Sequence, residues 1–524
     1  MADGSRSSSL VRMTPGWVRF AMPSVADLIF VALLSVLVFT PLSVRLLGDA
    51  GIGWHIRAGQ QILTSHAIPR VDSFSSTMSG KPWFAWEWMY DVVVGQLDAT
   101  LGLNGVVWFT AVVIATVFAW MFRSLIRRGT NMCIALGLAL LAISASMIHF
   151  LARPHVLSWL FTFAWFWILD SSERDCFGGR GGNSSWRAWL LPPLILVWVN
   201  LHGGFLFGFA LLGIFWLGAL WTWFQSKEDR IEDSLRRIAA ARRVRDLTWA
   251  GLACVVASLV NPYGWRLHAH VYSYLSNRFL MDHIDEFQSP NFHGAAQKCF
   301  LVLLLIALAG LAARGRQLRM SEGLTVLLVA YAGLYASRNI PVSSVLLVML
   351  LGPLISNAEG GGGFFQRMAT VESGMRGHAW PVLALVGTLV IAINGGRIGS
   401  SQAMDAHFDP KRMPVEAVNY LEKSRVSGPV LSPDFWGGYL IYRLYPKMQV
   451  VVDDRHDLFG DEFFKSYLKM VHAEPGWDGF VREHPSSYVL VPKQSALASV
   501  FMESHAWRVI YSDDVAIALM RRAE

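Results

Sequence analysis

Between residues 25 and 395 the chain is a succession of apolar runs, each long enough or nearly long enough to cross a lipid bilayer. A spanning helix needs about 20 apolar residues, and somewhat fewer where neighbours shelter it. About eleven such runs are present, centred on 25–44, 102–122, 131–150, 156–170, 188–201, 205–224, 247–262, 299–314, 322–337, 342–356 and 380–395. Backbone in lipid must satisfy its own hydrogen bonds, so runs of this kind fold as helices. Charged residues make up only 16% of the chain, against roughly 25% in soluble domains. A soluble multidomain enzyme, a disordered chain and a protein that binds nucleic acid through a basic soluble surface are therefore excluded. The expected fold class is a polytopic α-helical membrane protein.

Basic residues orient the bundle. Arg6, Arg12 and Arg19 precede the first run, and Arg123, Arg127 and Arg128 follow the second. Arg174, Arg180 and Arg187 surround the loop after the fourth; Lys227 through Arg245 is a charged helix after the sixth; Arg314, Arg316 and Arg319 follow the eighth. Eleven crossings put all of these on one side, which the positive-inside rule makes cytoplasmic. Residues 1–24 are then a cytoplasmic tail, and the C-terminus lies outside. The formal charge of +7 reads as a topology signal, although the 227–245 helix would also favour anionic headgroups. The first run lacks a small-residue cleavage site and reads as an uncleaved anchor. The sequon Asn183-Ser184-Ser185 is cytoplasmic and reads as chance, and Gly360–Gly363 reads as a cytoplasmic linker. The four cysteines suggest neither a disulfide framework nor a zinc site.

Near residue 396 the long apolar runs stop. Residues 396–524 have the pattern of a small α/β domain outside the membrane. Helices are expected at Pro414–Ser424, Phe463–His472 and Ser495–His505. Strands are expected at Gln449–Val452, Ser487–Val491, Trp507–Tyr511 and Val515–Met520.

On this topology the unusual polar residues collect on the outer side. They are Asp49, His55, Asp72, Glu87, Arg153, His155, Asn200, His202, Asn261, Asp285, Glu286, Gln288, Arg338 and Asn339. Polar groups at membrane depth are costly and tend to face functional cavities; outer turns also meet water and are polar for that reason alone. The first outer loop, 48–100, is too long for a plain connector. It carries an interfacial helix over Gly53–Ser65, a turn at Pro69–Asp72 and a helix from Phe84 to Asp98. Trp83, Trp86, Trp88 and Tyr90 supply interfacial anchors there.

Asp49 precedes the first of these helices and reads either as its N-cap or as a general base. Glu87 reads as an acceptor-holding group, a metal ligand, a second acid or a solvated face. Asp72 suits a turn. His55 reads as a ligand, a phosphate contact or a packed histidine. Arg153, Arg338 and Arg455 carry the planar fork that matches phosphate oxygens, although an interfacial arginine also snorkels. The run Asn200-Leu201-His202-Gly203-Gly204-Phe205 reverses the chain and can aim His202 inward. His202, His155 and His55 share one side, which leaves a divalent metal open, but no His-x-x-x-His pair supports zinc. No Walker loop, dinucleotide fingerprint, Gly-x-Ser-x-Gly or His-Glu-x-x-His occurs.

These residues carry a resemblance. Gly48-Asp49…Trp54-His55-Ile56…Gly59, then Pro69-Arg70-Val71-Asp72-Ser73-Phe74-Ser75, then Trp83…Glu87-Trp88 resemble the first outer loop of bacterial multispanning GT-C-type glycosyltransferase-like proteins. Arg153-Pro154-His155, Trp198 through Gly204, Asn261-Pro262-Tyr263-Gly264, Phe287-Gln288-Ser289-Pro290, Trp436 through Leu440 and Val452-Asp453-Asp454-Arg455 match later landmarks. The resemblance covers nearly the whole chain. It implies a GT-C-like domain over 25–395, followed by the extracytoplasmic domain. It further implies inverting transfer of a sugar from a polyprenyl-phosphate donor to a glycan, lipid or protein acceptor, at the outer face of the inner membrane. Asp49 takes the place of the general base and Glu87 of the second acidic residue. Arg153, with Arg338, would hold the lipid phosphate; His55, His155, Asn200 and His202 would line the substrate site. Relatives often carry a second aspartate where this chain has Gly51-Ile52-Gly53, which puts a metal-binding aspartate pair in doubt. Neither nucleotide nor nucleic acid is expected at the site. A flippase for a lipid-linked saccharide would use the same groove without a base, and a non-catalytic envelope assembly protein would need neither.

Overall fold

A computed structural model describes residues 16–177, 184–226, 230–356, 363–375, 378–424 and 426–522. Arg6, Arg12, Arg180, Lys227, Asn183 of the sequon and Gly360–Gly362 of the glycine run lie outside the described residues. The chain forms a helical bundle followed by a small sheet domain.

The expected count of eleven crossings is not carried by helix length. Among the described residues, five helices are long and apolar enough to cross a membrane: Trp88–Arg127, Met132–His149, Phe205–Gln225, Ala295–Gln317 and Ser337–Ser356. The bent pair Phe364–Gly374 and Ala379–Ile393 would make a sixth. The other expected spans are also helical but fall short for separate reasons. Val25–Phe39 and Met320–Tyr335 are short. Leu191–Trp198 has only 8 residues. His155–Phe177 ends in charged residues, and Ile231–Ser258 begins with them.

The helix His155–Phe177 carries a buried acidic residue, Asp170, in its C-terminal half. There Asp170 meets Arg128 at 2.7 Å, Arg174 at 2.9 Å and Arg319 at 2.8 Å. Arg243 donates to Ser172 Oγ at 2.9 Å beside them. Basic residues from four separate segments thus converge on one buried acidic end. At about 1.5 Å rise per residue, the N-terminal end of this helix, with Arg153 and His155, lies at the opposite end of the bundle.

In the C-terminal region β1 (Arg397–Ile398) and β2 (Ser401–Gln402) form a small hairpin. A four-stranded sheet is built from β3 (Val430–Leu431), β4 (Tyr488–Pro492), β5 (Trp507–Ser512) and β6 (Ala516–Arg521), in the order β3-β4-β6-β5. β3 runs parallel to β4, and the other pairings are antiparallel. Helices Val415–Lys423, Asp461–Val471 and Ala496–Glu503 stand close to the expected positions. The expected strand Gln449–Val452 does not form. Val450 instead makes single parallel bridges to Ser75 and Val430, tying the first loop to the sheet. The helix Asp434–Leu444 was not expected from the sequence, because Gly437 and Gly438 weaken it as a helix.

That helix docks the sheet domain onto the bundle. It packs against Ile52–Ser65, and the approach is so close that a Cβ on Gly53 would overlap the Gly438 carbonyl oxygen. Arg57 caps the contact by donating to the Tyr442 carbonyl. Thr77 donates to the Val451 carbonyl at 2.7 Å, and His270 meets Asp457 at 2.9 Å.

Candidate active site

The first loop opens with a turn in which Asp49 Oδ1 accepts the Gly51 N–H at 2.8 Å. Asp49 is therefore not the side-chain N-cap of the helix, which starts at Ile52 and has an uncapped Gly51 before it. The other oxygen, Asp49 Oδ2, meets Arg153 Nη1 at 2.9 Å. Arg153 Nη2 reaches Asp454 Oδ2, from the sheet domain, at 3.5 Å.

From Arg153 the site continues into a polar cavity. Glu87, Arg153, His155, His202, Glu286 and Arg338 line it, with Asp454 and Asp457 from the sheet domain. Asp49 and Asp454 also line a wider cleft between the bundle and the sheet domain. On the far side, Trp86, His155, His202, Tyr274 and Arg338 are shared with an apolar groove lined by Phe207, Leu275, Phe287 and Val342. Arg338 pairs with Glu286 at 3.3 Å and lies over the Phe287 ring at 4.5 Å. It stands where the polar cavity opens onto the groove.

Glu87 sits between two histidines. His202 Nδ1 accepts from Gly204 N–H at 3.0 Å and from Ser158 Oγ at 2.7 Å, while Trp198 Nε1 donates to Ser158 Oγ at 2.8 Å. The proton of neutral His202 is thereby assigned to Nε2, which faces Glu87 at 3.7 Å. His55 Nδ1 and Asp91 Oδ1 share a hydrogen bond at 2.6 Å, and His55 Nε2 faces Glu87 at 3.8 Å without a hydrogen-bond partner. Burial, with Arg153, His202 and Arg455 nearby, lowers the His55 pKa well below its ordinary value. Burial and Arg338 do the same to His202. For Glu87, burial outweighs the attraction of Arg153 and Arg338 and pushes the pKa up to about 8. A protonated Glu87 between two neutral histidines is a hydrogen-bond donor and acid at neutral pH, not a base.

Glu286 and Arg153 stay ionised. Burial works to raise the pKa of Glu286, but Arg338 and Arg153 outweigh it and hold the carboxyl well below the usual range. Burial works against the Arg153 charge, and Asp49, Glu286 and Asp454 overcome it.

Asp49, Glu87, Arg153, His155, His202 and Arg338 thus share one connected site. Three other expected residues do not reach it as expected. His55 is wholly buried behind Glu87, held by Asp91 and stacked on Trp54 at 3.6 Å. Asn200 faces away: it accepts from Trp88 Nε1 at 2.9 Å and donates to the Leu196 and Val260 carbonyls. Arg455 borders the cavity but is consumed by buried ion pairs with Asp453 at 2.7 Å and Asp72 at 2.8 Å, which leaves it no free fork for phosphate. Asp72 keeps its turn role as well, accepting the Phe74 and Ser75 N–H groups. Trp83 and Tyr90, expected as interfacial anchors, are core residues. Sequence reading gave no role to Asp454, which it met only within the run Val452-Asp453-Asp454-Arg455, nor to Glu286, and did not single out Asp457. Among the described residues no group of three or more His, Cys, Asp or Glu side chains could hold a metal ion.

No family model and no curated protein sequence matches the chain. Solved structures of the oligosaccharyltransferase of Archaeoglobus fulgidus do match. The apo form aligns with a TM-score of 0.51 at 12% identity, over 89% of this chain and 69% of that one. The form tethered to an acceptor peptide containing the NVT sequon aligns with a TM-score of 0.54 at 11% identity, over 89% and 68%. At such identity the likeness is one of fold: the chain has a GT-C-like, oligosaccharyltransferase-like architecture.

Proposed function

We propose that this chain is a bacterial inner-membrane glycosyltransferase of GT-C type. It moves a sugar from a polyprenyl-phosphate carrier to an acceptor at the outer membrane face, with inversion. Residues 25–395 form the membrane domain, with 48–100 as its first outer loop, and 396–524 the outer domain over the acceptor. The observation that carries this reading is the junction at Arg338, where a charged cavity meets an apolar groove. An isoprenoid tail can lie along such a groove much as it lies in lipid, while its phosphate needs cationic donors at the groove's mouth. Arg338 is the cation at this mouth, with the neutral His202 Nε2–H beside it as a hydrogen-bond donor. Arg153 lies deeper, engaged by Asp49 and Asp454. Glu87, held neutral, donates to the sugar or to the leaving phosphate. Removal of the acceptor proton falls to the carboxylates at the Arg153 end. The oligosaccharyltransferase-like fold supports the reaction class.

The test is binding of decaprenyl phosphate to the purified chain by native mass spectrometry, with decaprenol as the uncharged control. Loss of a charge-assisted hydrogen bond costs about 1.5–3 kcal/mol. Arg338→Ala is therefore expected to weaken decaprenyl phosphate roughly tenfold or more and leave decaprenol unchanged. Equal binding of both lipids by the unaltered protein would contradict the reading.

A further inference from the structure

Gly51 is the point at which the sheet domain enters the first loop. A Cβ there would overlap Asp454 Oδ2, and would lie 3.0 Å from Asp49 Oδ1 and 3.4 Å from Arg153 Nη2. The Asp454 carboxylate thus fills the space that a side chain at position 51 would take. Two carboxylates from segments about 400 residues apart in sequence share one guanidinium.

They are not equivalent. Asp49 has both oxygens engaged, one by the Gly51 N–H and one by Arg153 at 2.9 Å. Asp454 has both oxygens out of water and accepts no hydrogen bond among the described residues. It borders both the Glu87 cavity and the wide cleft beneath the sheet domain. A carboxylate with unmet acceptors is costly in such a place, and an incoming O–H would relieve that cost. Burial, then Asp49 and Asp453, raise the Asp454 pKa above the ordinary carboxylate range against the pull of Arg153 and His456. A base is most effective when its pKa lies near the working pH.

We infer that Asp454 is the general base of this site, receiving the proton of an acceptor hydroxyl, and that Asp49 positions Arg153 and Asp454. The inference rests on the glycosyl-transfer reading. In the step it describes, the acceptor O–H bond breaks and the proton passes to an Asp454 carboxylate oxygen. The acceptor oxygen bonds to the anomeric carbon of the sugar. The bond from that carbon to the carrier phosphate breaks, and its electron pair leaves on the phosphate oxygen.

The experiment uses the full chain in its own membrane. The envelope glycan lost in a deletion strain is quantified by mass spectrometry after complementation with the unaltered chain, Asp454→Asn, Asp454→Glu or Asp49→Asn. Decaprenyl phosphate binding and membrane abundance are measured for each. Asp454→Asn is expected to lower product by about 100-fold to 10,000-fold, the usual worth of a general base, with binding and abundance unchanged. Asp454→Glu should restore part of the product, and Asp49→Asn should retain more than Asp454→Asn. Full output from Asp454→Asn, with Asp49→Asn inactive, would overturn the inference and return the base to Asp49 while leaving glycosyl transfer standing. A deletion that alters no glycan would overturn the transfer reading itself, and the inference with it.

Discussion

Arg455 Nη1 lies 2.8 Å from Asp72 Oδ1, and both side chains are buried. This ion pair joins the sheet domain to the first loop at the floor of the site. Asp453 completes it, bound to the Arg455 Nε at 2.8 Å, and the guanidinium rests on the Trp83 ring at 4.7 Å. Burial works against each charge; Arg455 keeps Asp72 ionised below its ordinary pKa, and the two aspartates keep Arg455 charged. Removing the arginine strands both carboxylates. Arg455→Ala is expected to cost about 3–5 kcal/mol, read as a fall in the unfolding midpoint of the detergent-solubilised protein. An unchanged midpoint would show that the pair is not a structural tie.

The glycine contact between Ile52–Ser65 and Asp434–Leu444 makes a separate expectation. A methyl group on Gly53 meets the Gly438 carbonyl, and one on Gly438 meets the Ala50 carbonyl. Backbone cannot move aside as a side-chain tip can, so either alanine should cost about 1–3 kcal/mol by overpacking. Limited proteolysis should release the sheet domain faster from Gly53→Ala and Gly438→Ala. Gly137→Ala, where a Cβ meets nothing, serves as the control. Equal cleavage of all three would argue against close docking.

Glu87 makes stability depend on pH. Its pKa rises from 4.5 to about 8 because burial penalises the charge. Between those values the folded chain holds a proton that the unfolded chain releases. Stability therefore falls as pH rises from about 5 to 8. Glu87→Gln keeps the neutral shape and removes the titration, so its midpoint should decline less over that range. A decline of equal slope in both proteins would place a charged carboxylate at position 87.

The apolar runs made the helices legible, because length and hydropathy are local properties. The number of crossings was not legible in the same way, since Leu191–Trp198 and the charged half of Ile231–Ser258 depend on neighbours that a window does not see. The site was readable where a polar side chain stood alone beside an apolar run, as with Glu87, Arg153, His202 and Arg338. It was misread where partners decide the role. Arg455 looks free in sequence, but Asp72 arrives from far away to pair with it. Asn200 looks like a site residue until Trp88 and the Val260 carbonyl occupy it. Asp454 stood in the sequence as one acid of the run Val452-Asp453-Asp454-Arg455, and its place in the site shows only in the fold, where it fills the space left by the missing side chain of Gly51.

A cryo-EM structure of the full chain with decaprenyl phosphate tests the central claim most directly. The account predicts the phosphate within hydrogen-bond distance of Arg338, facing Glu87 and His202, with the isoprenoid tail along Phe207, Leu275 and Val342. A lipid bound elsewhere on the bundle, with the Arg338–Glu286 pair intact and the groove empty, would contradict it.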